Sequence, residues 1–201
     1  RNSMCGALLI DSDGTLWNAT SEGLYRIRNG QLTLFKEYDW IKDAAGNSLF
    51  EDSRKRIWLG CDGCGIYVLD KEKVVERFTA KNGLAGNSVN FITETRDGAI
   101  WFATRSGISR LKDDAFKNYT SADGLSNDNV RDIYEDADGT LWFATYGGGL
   151  NRFRDGKFTP ITSKDGLYED IVSRILVDRD DNFWVLGNRG IYSISRQMLN
   201  D

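Results

Sequence analysis

Apolar and polar positions along this chain repeat in a pattern of four short strands. In the clearest unit, residues 129–136 carry spaced apolar side chains before an Asp-Gly turn, and residues 141–145 form a nearly continuous apolar run. Residues 150–153 then alternate apolar and polar positions, and residues 157–161 follow a second turn. A continuous apolar run is typical of a strand covered on both faces, whereas alternation is typical of a half-buried strand. Four such strands joined by short turns predict one antiparallel blade of a β-propeller.

One tryptophan marks each repeat of this pattern. The five residues are Trp17, Trp58, Trp101, Trp142 and Trp184, at intervals of 41, 43, 41 and 42 residues. A period of this length built from short strands is typical of propellers. Because the tryptophan falls in the continuous apolar strand, we predict a structural role for all five, packed between neighbouring blades.

The repeats predict an all-β propeller segment of about five four-stranded antiparallel blades that occupies the whole chain. The approximate blade boundaries are 6–36, 47–79, 88–120, 129–162 and 171–201. Pro160 falls in a fourth strand, which predicts an edge position because proline cannot donate to a sheet ladder. The last blade is expected to be incomplete, with Leu199 at the start of a truncated outer strand and 19 strands in all. We therefore expect part of a larger propeller array, with a closed five-bladed ring as the alternative.

Composition narrows the classes of function. The net charge is -4 and no basic stripe is present for phosphate binding, which argues against nucleic acid as a partner. No apolar stretch approaches the roughly 20 residues that span a bilayer. The absence of histidine excludes Ser-His-Asp and Cys-His catalysis within the chain. Paired carboxylates fall only in turns, so a five-bladed glycosidase is a third and weaker alternative. We predict no catalytic residue and no cofactor.

Cys61 and Cys64 have the C-x-x-C spacing of a redox pair, half a zinc site or a disulfide. They flank a predicted hairpin turn, whereas a redox thiol is favoured by a helix N-terminus. A zinc site needs two more ligands, and the chain has no histidine and only Cys5 in addition. An incidental pair of thiols and a disulfide across the turn both stay open.

Asp11, Asp136 and Asp178 begin short acidic runs that resemble the start of a calcium loop. A full loop needs a further acidic or amide ligand and a bidentate glutamate, and here tryptophan and leucine follow instead. We therefore interpret these aspartates as turn residues and predict no metal site.

The repeated phrase resembles the two-component regulator propeller repeat. In the fourth blade its framework is matched by Ile133, Glu135, Asp136, Gly139, Leu141, Trp142, Thr145, Gly148, Gly149, Leu150, Arg152 and Phe153. The link between blades, D-G-L-x-x-N-x-V, matches at residues 123–130. The second and fifth repeats depart, with Cys61 and Gly187 in place of threonine. Arg56 and Asn182 stand where glycine is usual, which predicts weaker turns.

The resemblance implies an extracytoplasmic sensor. In that family such propellers, with more blades than this chain carries, form the periplasmic region of hybrid two-component histidine kinases. An immunoglobulin-like segment, a transmembrane helix and the kinase follow them. The resemblance therefore implies a periplasmic location, a small-molecule or oligosaccharide ligand, further blades and downstream signalling domains as partners, and a homodimer in the full-length form. A stand-alone lectin-like or scaffold propeller is the alternative.

The parts that differ most between repeats are the turns from second to third strand and the links between blades. In a propeller both open on one face, opposite the Asp-Gly turns. The candidate ligand-binding residues there are Glu22, Trp40, Asp62, Arg105, Tyr146, Tyr168 and Arg189. The links add Asn87, Asn127, Asp128 and Glu169. Aromatic rings beside amides and charged groups suit a polar ring-shaped ligand.

Overall fold

The structure is a computed structural model that describes residues 5–34, 46–71 and 73–200. These residues form strands and one short helix, α1, at Arg196–Asn200. The strands are β1 Cys5–Ile10, β2 Leu16–Thr20, β3 Gly23–Arg28, β4 Gln31–Leu34, β5 Gly46–Glu51, β6 Ile57–Cys61, β7 Gly65–Asp70, β8 Lys73–Phe78, β9 Val89–Glu94, β10 Ile100–Thr104, β11 Gly107–Lys112, β12 Ala115–Tyr119, β13 Val130–Glu135, β14 Leu141–Thr145, β15 Leu150–Arg154, β16 Lys157–Ile161, β17 Arg174–Val177, β18 Asn182–Gly187 and β19 Gly190–Ser195.

Each sheet follows chain order, which confirms the propeller fold. Four sheets have four antiparallel strands, and the fifth, β17-β18-β19, has three. The first strands pack in series, β1 on β5, β5 on β9, β9 on β13 and β13 on β17, so they line the inner side of the array. β16, which contains Pro160, lies at the edge of its sheet, as predicted.

The fifth blade ends in a helix, so the prediction of a truncated outer strand at Leu199 is wrong. Leu199 is buried in the apolar cluster between the fourth and fifth blades, together with Trp142 and Val185. Arg196, the first helical residue, contacts Asp136 of the fourth blade at 3.0 Å. The helical turn thus holds both residues against that blade. No helix within the described ranges is long and apolar enough to cross a membrane.

The weak turn positions of the second and fifth blades are not Arg56 and Asn182. The left-handed residue lies three positions before the tryptophan, and in three blades it is glycine: Gly14, Gly98 and Gly139. The residues in the other two blades are Lys55, with φ 64°, and Asp181, with φ 63°. A residue with a Cβ in this conformation costs roughly 1–2 kcal/mol. The turns of the second and fifth blades are therefore weakened at Lys55 and Asp181, one residue before the positions expected from sequence.

Each of the first four tryptophans packs against the following blade. Between ring centroids, Trp58 lies 5.6 Å from Phe102 and Trp142 lies 4.9 Å from Phe183. These four tryptophans are at most 4% exposed. Trp184 is 40% exposed, because no described blade follows it.

Four of the tryptophans are also held by an aspartate six residues earlier. The indole N–H donates to the aspartate Oδ2 at 2.8 to 2.9 Å in the pairs Trp17–Asp11, Trp58–Asp52, Trp142–Asp136 and Trp184–Asp178. Oδ1 of the same carboxylate accepts from the turn, as Asp11 does from the Thr15 N–H at 2.8 Å. The aspartates that resemble a calcium loop therefore fix the turn and the tryptophan. In the third blade Thr95 occupies this position.

Both ends of the array expose apolar side chains. On the first blade these are Leu8, Ile10 and Leu32, and on the fifth they are Leu176, Trp184 and Ile191. The residues equivalent to Leu8 in the third and fourth blades, Ile92 and Ile133, are buried by the preceding blade. Within the residues described, β17 and β1 do not pack together as successive first strands do. These strands form an open arc.

Candidate functional site

The turns from second to third strand and the links between blades meet on one face. In the third blade, Arg105 N donates to the Ser88 carbonyl of the preceding link at 3.0 Å. Gly107 N donates to the Asp128 carbonyl of the following link at 2.7 Å. The turn of the fourth blade is held in the same way, by Tyr146 N to the Asn129 carbonyl and by Gly147 N to the Asp170 carbonyl. In these two blades the turn is clamped between two links, which fixes the backbone from which the candidate side chains project.

Part of the polar character of the links is structural. Each of the three described links begins with a short 3-10 turn, and its first backbone N–H is held by a side chain seven residues later. Asn87 accepts from Ala80 N at 2.7 Å, and Asp128 accepts from Ser121 N at 2.7 Å. Asn127 accepts from the nearby Asn129 N at 2.9 Å. These three side chains, predicted from sequence as candidate ligand contacts, are used to shape the links.

Tyr168 and Arg189 lie together in a pocket of about 350 Å³ between the last link and the turn of the fifth blade. Tyr168 is 61% exposed, and its ring centroid lies 5.7 Å from that of Tyr192. Glu169 is buried at the base, where it accepts a 2.8 Å hydrogen bond from Arg189 N. Tyr168, the buried carboxylate of Glu169 and Arg189 thus line one small cavity.

The pocket depends on Gly187. A Cβ placed at Gly187 would overlap the Glu169 carboxylate. The equivalent residue is Thr20, Thr104 or Thr145 in three other blades, where it donates to the glycine carbonyl across the turn. Glycine at this position therefore makes room for Glu169, which accounts for one departure from the repeat pattern.

Asp62 and Arg105, from neighbouring blades, form an ion pair on the same face. Arg105 Nη2 lies 3.0 Å from Asp62 Oδ2, and both side chains are about half exposed. Exposed pairs of this kind contribute about 0 to 1 kcal/mol, so either charge can be released to a ligand at small cost.

Tyr146 is partly covered by a residue that the sequence analysis missed. The Arg131 guanidinium carbon lies 4.9 Å from the centroid of the Tyr146 ring. Among the described side chains, Arg131 Nε and Asn129 Oδ1 are buried without a hydrogen-bond partner. β13 shifts register between Val130 and Asp132, so Arg131 sits at a bulge, where strand alternation no longer indicates its direction.

The remaining candidates do not join these groups. Glu22 is exposed and its Oε2 accepts a long 3.5 Å hydrogen bond from the Tyr25 hydroxyl of its own blade. Trp40 lies outside the described residues. The structure thus brings Tyr168 and Arg189 together, pairs Asp62 with Arg105, and leaves Glu22 apart.

Three residues at one position of successive first strands meet at the inner side of the array. They are Phe91, Asp132 and Arg174, opposite Ala103, Ala144 and Leu186 on their second strands. Arg174 Nη1 lies 3.3 Å from Asp132 Oδ1, and its guanidinium carbon lies 4.7 Å from the Phe91 ring centroid. Burial raises the pKa of Asp132 to about 6, against the opposing effects of the Ile175 N–H and of Arg174.

Cys61 and Cys64 form a disulfide across the turn of the second blade, with a Cα–Cα distance of 5.4 Å. Cys61 is buried and joins the apolar cluster between the first and second blades. Neither thiol is then free for metal binding. No group of three or more metal-ligating side chains occurs within residues 5–34, 46–71 and 73–200.

Reduction of this bridge is expected to lower the free energy of unfolding by about 2 kcal/mol or less, because the loop it closes is short. Urea unfolding with and without reductant measures the effect. The matched control is Cys61→Thr with Cys64→Gly, which copies the fourth blade, where Thr145 Oγ1 donates to the Gly149 carbonyl at 2.9 Å. Reductant should leave this variant unchanged, and an equal response would assign the effect to another part of the chain.

Comparisons with known proteins agree with this fold. The family described as two component regulator propeller matches residues 83–106 and 124–147. A comparison with curated proteins found no significant match.

Solved structures include similar propellers from sensors and from an enzyme. One, named as the extracellular domain of a hybrid two-component system of B. thetaiotaomicron, has a TM-score of 0.83 and 26% identity over 92% of this chain. A second extracellular domain, named for a one-component system of that organism, has a TM-score of 0.77 and 20% identity over 96% of this chain. Virginiamycin B lyase of Staphylococcus aureus has a TM-score of 0.72 and 20% identity over 95% of this chain.

The length of these proteins matters for what can be transferred. This chain spans 26% and 28% of the two extracellular domains and 69% of the lyase. The two matches below 25% identity show the fold alone. The fold, the periodic framework and the family match agree, and residues 83–106 and 124–147 match the family described as two component regulator propeller.

Proposed function

We propose that this chain is a ligand-binding segment of an extracytoplasmic sensor and that it binds a small polar molecule, such as an oligosaccharide, on the face of the turns and links. The observation that carries the proposal is the pocket of Tyr168, Glu169 and Arg189. Its base exists because Gly187 replaces the framework threonine.

The chemistry of the pocket suits a polar ring. Tyr168 offers an exposed aromatic face, Arg189 offers donors and Glu169 offers an acceptor. Apolar stacking combined with a few placed hydrogen bonds is the usual basis of small-ligand specificity. We propose these three residues as the ligand contacts, with Asp62, Arg105 and Tyr146 as an outer group on the same face.

An extracytoplasmic, periplasmic location is part of the proposal. Disulfides persist in oxidising compartments such as the bacterial periplasm, and Cys61 and Cys64 are joined in one. The most similar sensor structure described above is an extracellular domain. The signalling domains and the homodimer that such a sensor would need are proposals by family resemblance.

Further blades are proposed as covering partners for the ends of the arc. Ile10 on the first blade is 71% exposed, and Trp184 on the fifth is 40% exposed. At internal interfaces the equivalent tryptophans are buried by the next blade. A neighbouring blade would bury both faces in the same way.

Binding is tested by calorimetry of the 201-residue chain with a panel of neutral, acidic and amino sugars. We expect Tyr168→Ala and Arg189→Ala each to weaken binding about tenfold, a change of about 1.4 kcal/mol. Glu22→Ala is the matched control, since Glu22 lies in the corresponding turn of the first blade and its carboxylate accepts a long hydrogen bond from the Tyr25 hydroxyl of its own blade. Equal affinity in all four proteins would contradict the assignment of the pocket.

An enzymatic role receives less support. The lyase of similar fold has a form, described as catalytically inactive, in which a histidine is replaced by alanine. This chain has no histidine. The same chemistry therefore has no counterpart among its residues, and we propose a binding function.

A further inference from the structure

The face of the Asp-Gly turns carries clefts between neighbouring blades, and the cleft between the third and fourth blades is larger than the two that precede it. Its volume is about 760 Å³, compared with about 570 Å³ and 440 Å³ for the two preceding clefts. Trp101, Tyr119 and Phe153 form its apolar part, and Arg96, Arg110 and Glu135 are among its polar lining. Small-ligand sites commonly measure about 300–1,000 Å³.

Trp101 differs from the other four periodic tryptophans in this cleft. Its side chain is 3% exposed, yet its indole N–H donates to no group in the described part of the chain, because Thr95 replaces the aspartate. The nitrogen is not among the polar atoms sealed from solvent, and Trp101 lines the cleft. The Trp101 ring thus lines the cleft with an indole N–H that has no acceptor among the described residues.

Neighbouring side chains do not supply the missing acceptor. Thr95 Oγ1 is turned into its own turn, 2.6 Å from Asp97 Oδ1 and 3.1 Å from the Ala99 carbonyl. Asp97 Oδ2 is held by Arg110 at 2.8 Å and by Lys112 at 2.9 Å. Burial opposes ionisation of Asp97, but hydrogen bonds from Thr95, Lys112, Ala99 and Arg110 hold its pKa well below its usual range. The Asp97 carboxylate is therefore ionised and bonded to Arg110 and Lys112, and it does not accept the Trp101 N–H.

The cleft between the fourth and fifth blades shows what fills such a space when the chain itself provides the group. There the Arg196 guanidinium lies 3.0 Å from Asp136, 3.3 Å from Asp138 and 3.0 Å from Asp181. Between the third and fourth blades the guanidinium groups are placed differently: Arg96 donates to the Ala137 carbonyl at 2.8 Å, and the Arg110 guanidinium carbon lies 5.6 Å from the Trp101 ring centroid. Neither side chain can accept the Trp101 N–H, because a guanidinium has no acceptor atom.

We propose that the cleft between the third and fourth blades binds a neutral polyhydroxylated molecule, with one of its hydroxyl oxygens accepting the hydrogen bond of the Trp101 indole N–H. In the other blades an aspartate oxygen occupies that position at 2.8 to 2.9 Å. This site lies on the face opposite the Tyr168 pocket and does not depend on it.

The charged side chains that line the cleft favour a neutral ligand. The lining carries three guanidinium groups and four carboxylates: Arg96, Arg110, Arg154, Asp97, Glu135, Asp138 and Asp155. An anion would meet an excess of carboxylates, and a cation would compete with arginines already in place. A hydroxyl group can donate to Glu135 or Asp138 and accept from Trp101, so it suits both kinds of partner.

The test follows the six indole N–H resonances of the chain by NMR, with glucose, cellobiose and sorbitol as probes. The Trp101 resonance is identified by its loss in Trp101→Phe. We expect at least one probe to shift this resonance in a saturable way and to leave that of Trp142, which is bonded to Asp136, in place. If none of the three probes shifts the Trp101 resonance, the proposal is overturned.

Thr95→Asp supplies the decisive variant. It restores the acceptor present in the other blades, where Asp11 with Asp13 and Asp136 with Asp138 show that two such aspartates are compatible in one turn. The variant should fold, and its affinity for the probe, measured from the saturation of the Trp101 shift, should be at least tenfold weaker. Tyr168→Ala should leave that affinity unchanged. An undiminished shift in Thr95→Asp would show that the indole N–H does not bind the probe. Failure of Tyr168→Ala to alter binding at the other face would affect only the proposed sensor pocket.

Discussion

Trp142→Ala is expected to lower the free energy of unfolding by about 3 to 5 kcal/mol, the largest effect of any single substitution considered for this chain. The side chain is fully buried, lies 4.9 Å from Phe183 of the next blade and donates to Asp136 at 2.9 Å. Truncation would leave a cavity between the fourth and fifth blades. It would also remove one of the partners of the buried Asp136 carboxylate. Urea unfolding, followed by far-ultraviolet circular dichroism, measures the change.

Trp184→Ala is the matched control. Trp184 occupies the same position of the repeat and makes the same aspartate bond, to Asp178 at 2.9 Å, but it is 40% exposed. We expect a loss of about 1 kcal/mol or less, since little new cavity forms at a surface site. Equal losses in Trp142→Ala and Trp184→Ala would mean that packing between blades is not the source of the stability.

The framework could be predicted from sequence because it is repeated. The position of Trp142 is one of five equivalent positions, so the strand that contains it can be identified from its copies. The aspartate partner could also have been found. Asp136 lies six residues before Trp142, and the same spacing separates Asp52 from Trp58. From sequence we interpreted Asp136 as a turn residue alone, because the Asp138-Gly139 pair that follows it is a turn signal in its own right.

The candidate site could be predicted only in part, because it depends on exceptions to the repeat. The order of the strands was enough to place Tyr168 and Arg189 on the face of the turns and links, where the structure has them. That Glu169 lies beneath them depends on the missing side chain at Gly187, which sequence shows only as a departure from threonine. Glu169 in the link and Arg189 in the turn are about 20 residues apart, and their contact arises from the fold. No local sequence pattern predicts such a contact.

The end of the chain shows a second limit. The sequence register aligned Leu199 with an outer-strand phenylalanine, but the side chain instead completes the cluster around Trp142. Register considers only spacing along the chain. The helical segment instead places Arg196 against Asp136 and Asp181, and these tertiary contacts have no signal in the repeat.

The stability of the chain is expected to fall by about 3 kcal/mol between about pH 4 and about pH 7 through Asp132 alone. Burial raises the pKa of this carboxyl to about 6 from its ordinary value of 3.8. A raised pKa means that the folded state binds the proton more tightly. The contribution is therefore fully present below pH 3.8 and is lost as the pH rises through about 6. Other carboxyls have lowered pKa values, among them Asp178 at about 2, so the effect must be isolated by difference.

The substitution Asp132→Asn isolates the contribution of this carboxyl to the pH dependence of stability. The amide oxygen can still accept the Ile175 N–H, which lies 2.8 Å from Asp132 Oδ2, but it cannot ionise. We expect the variant to match the original chain near pH 4 and to be more stable by up to about 3 kcal/mol near pH 7, measured by urea unfolding across the range. Arg174→Met should move the midpoint of the difference to higher pH, because Arg174 is the cation that favours the Asp132 carboxylate. A difference curve without slope between these pH values would mean that Asp132 ionises freely in the folded chain and that its burial between β13 and β17 has no electrostatic cost.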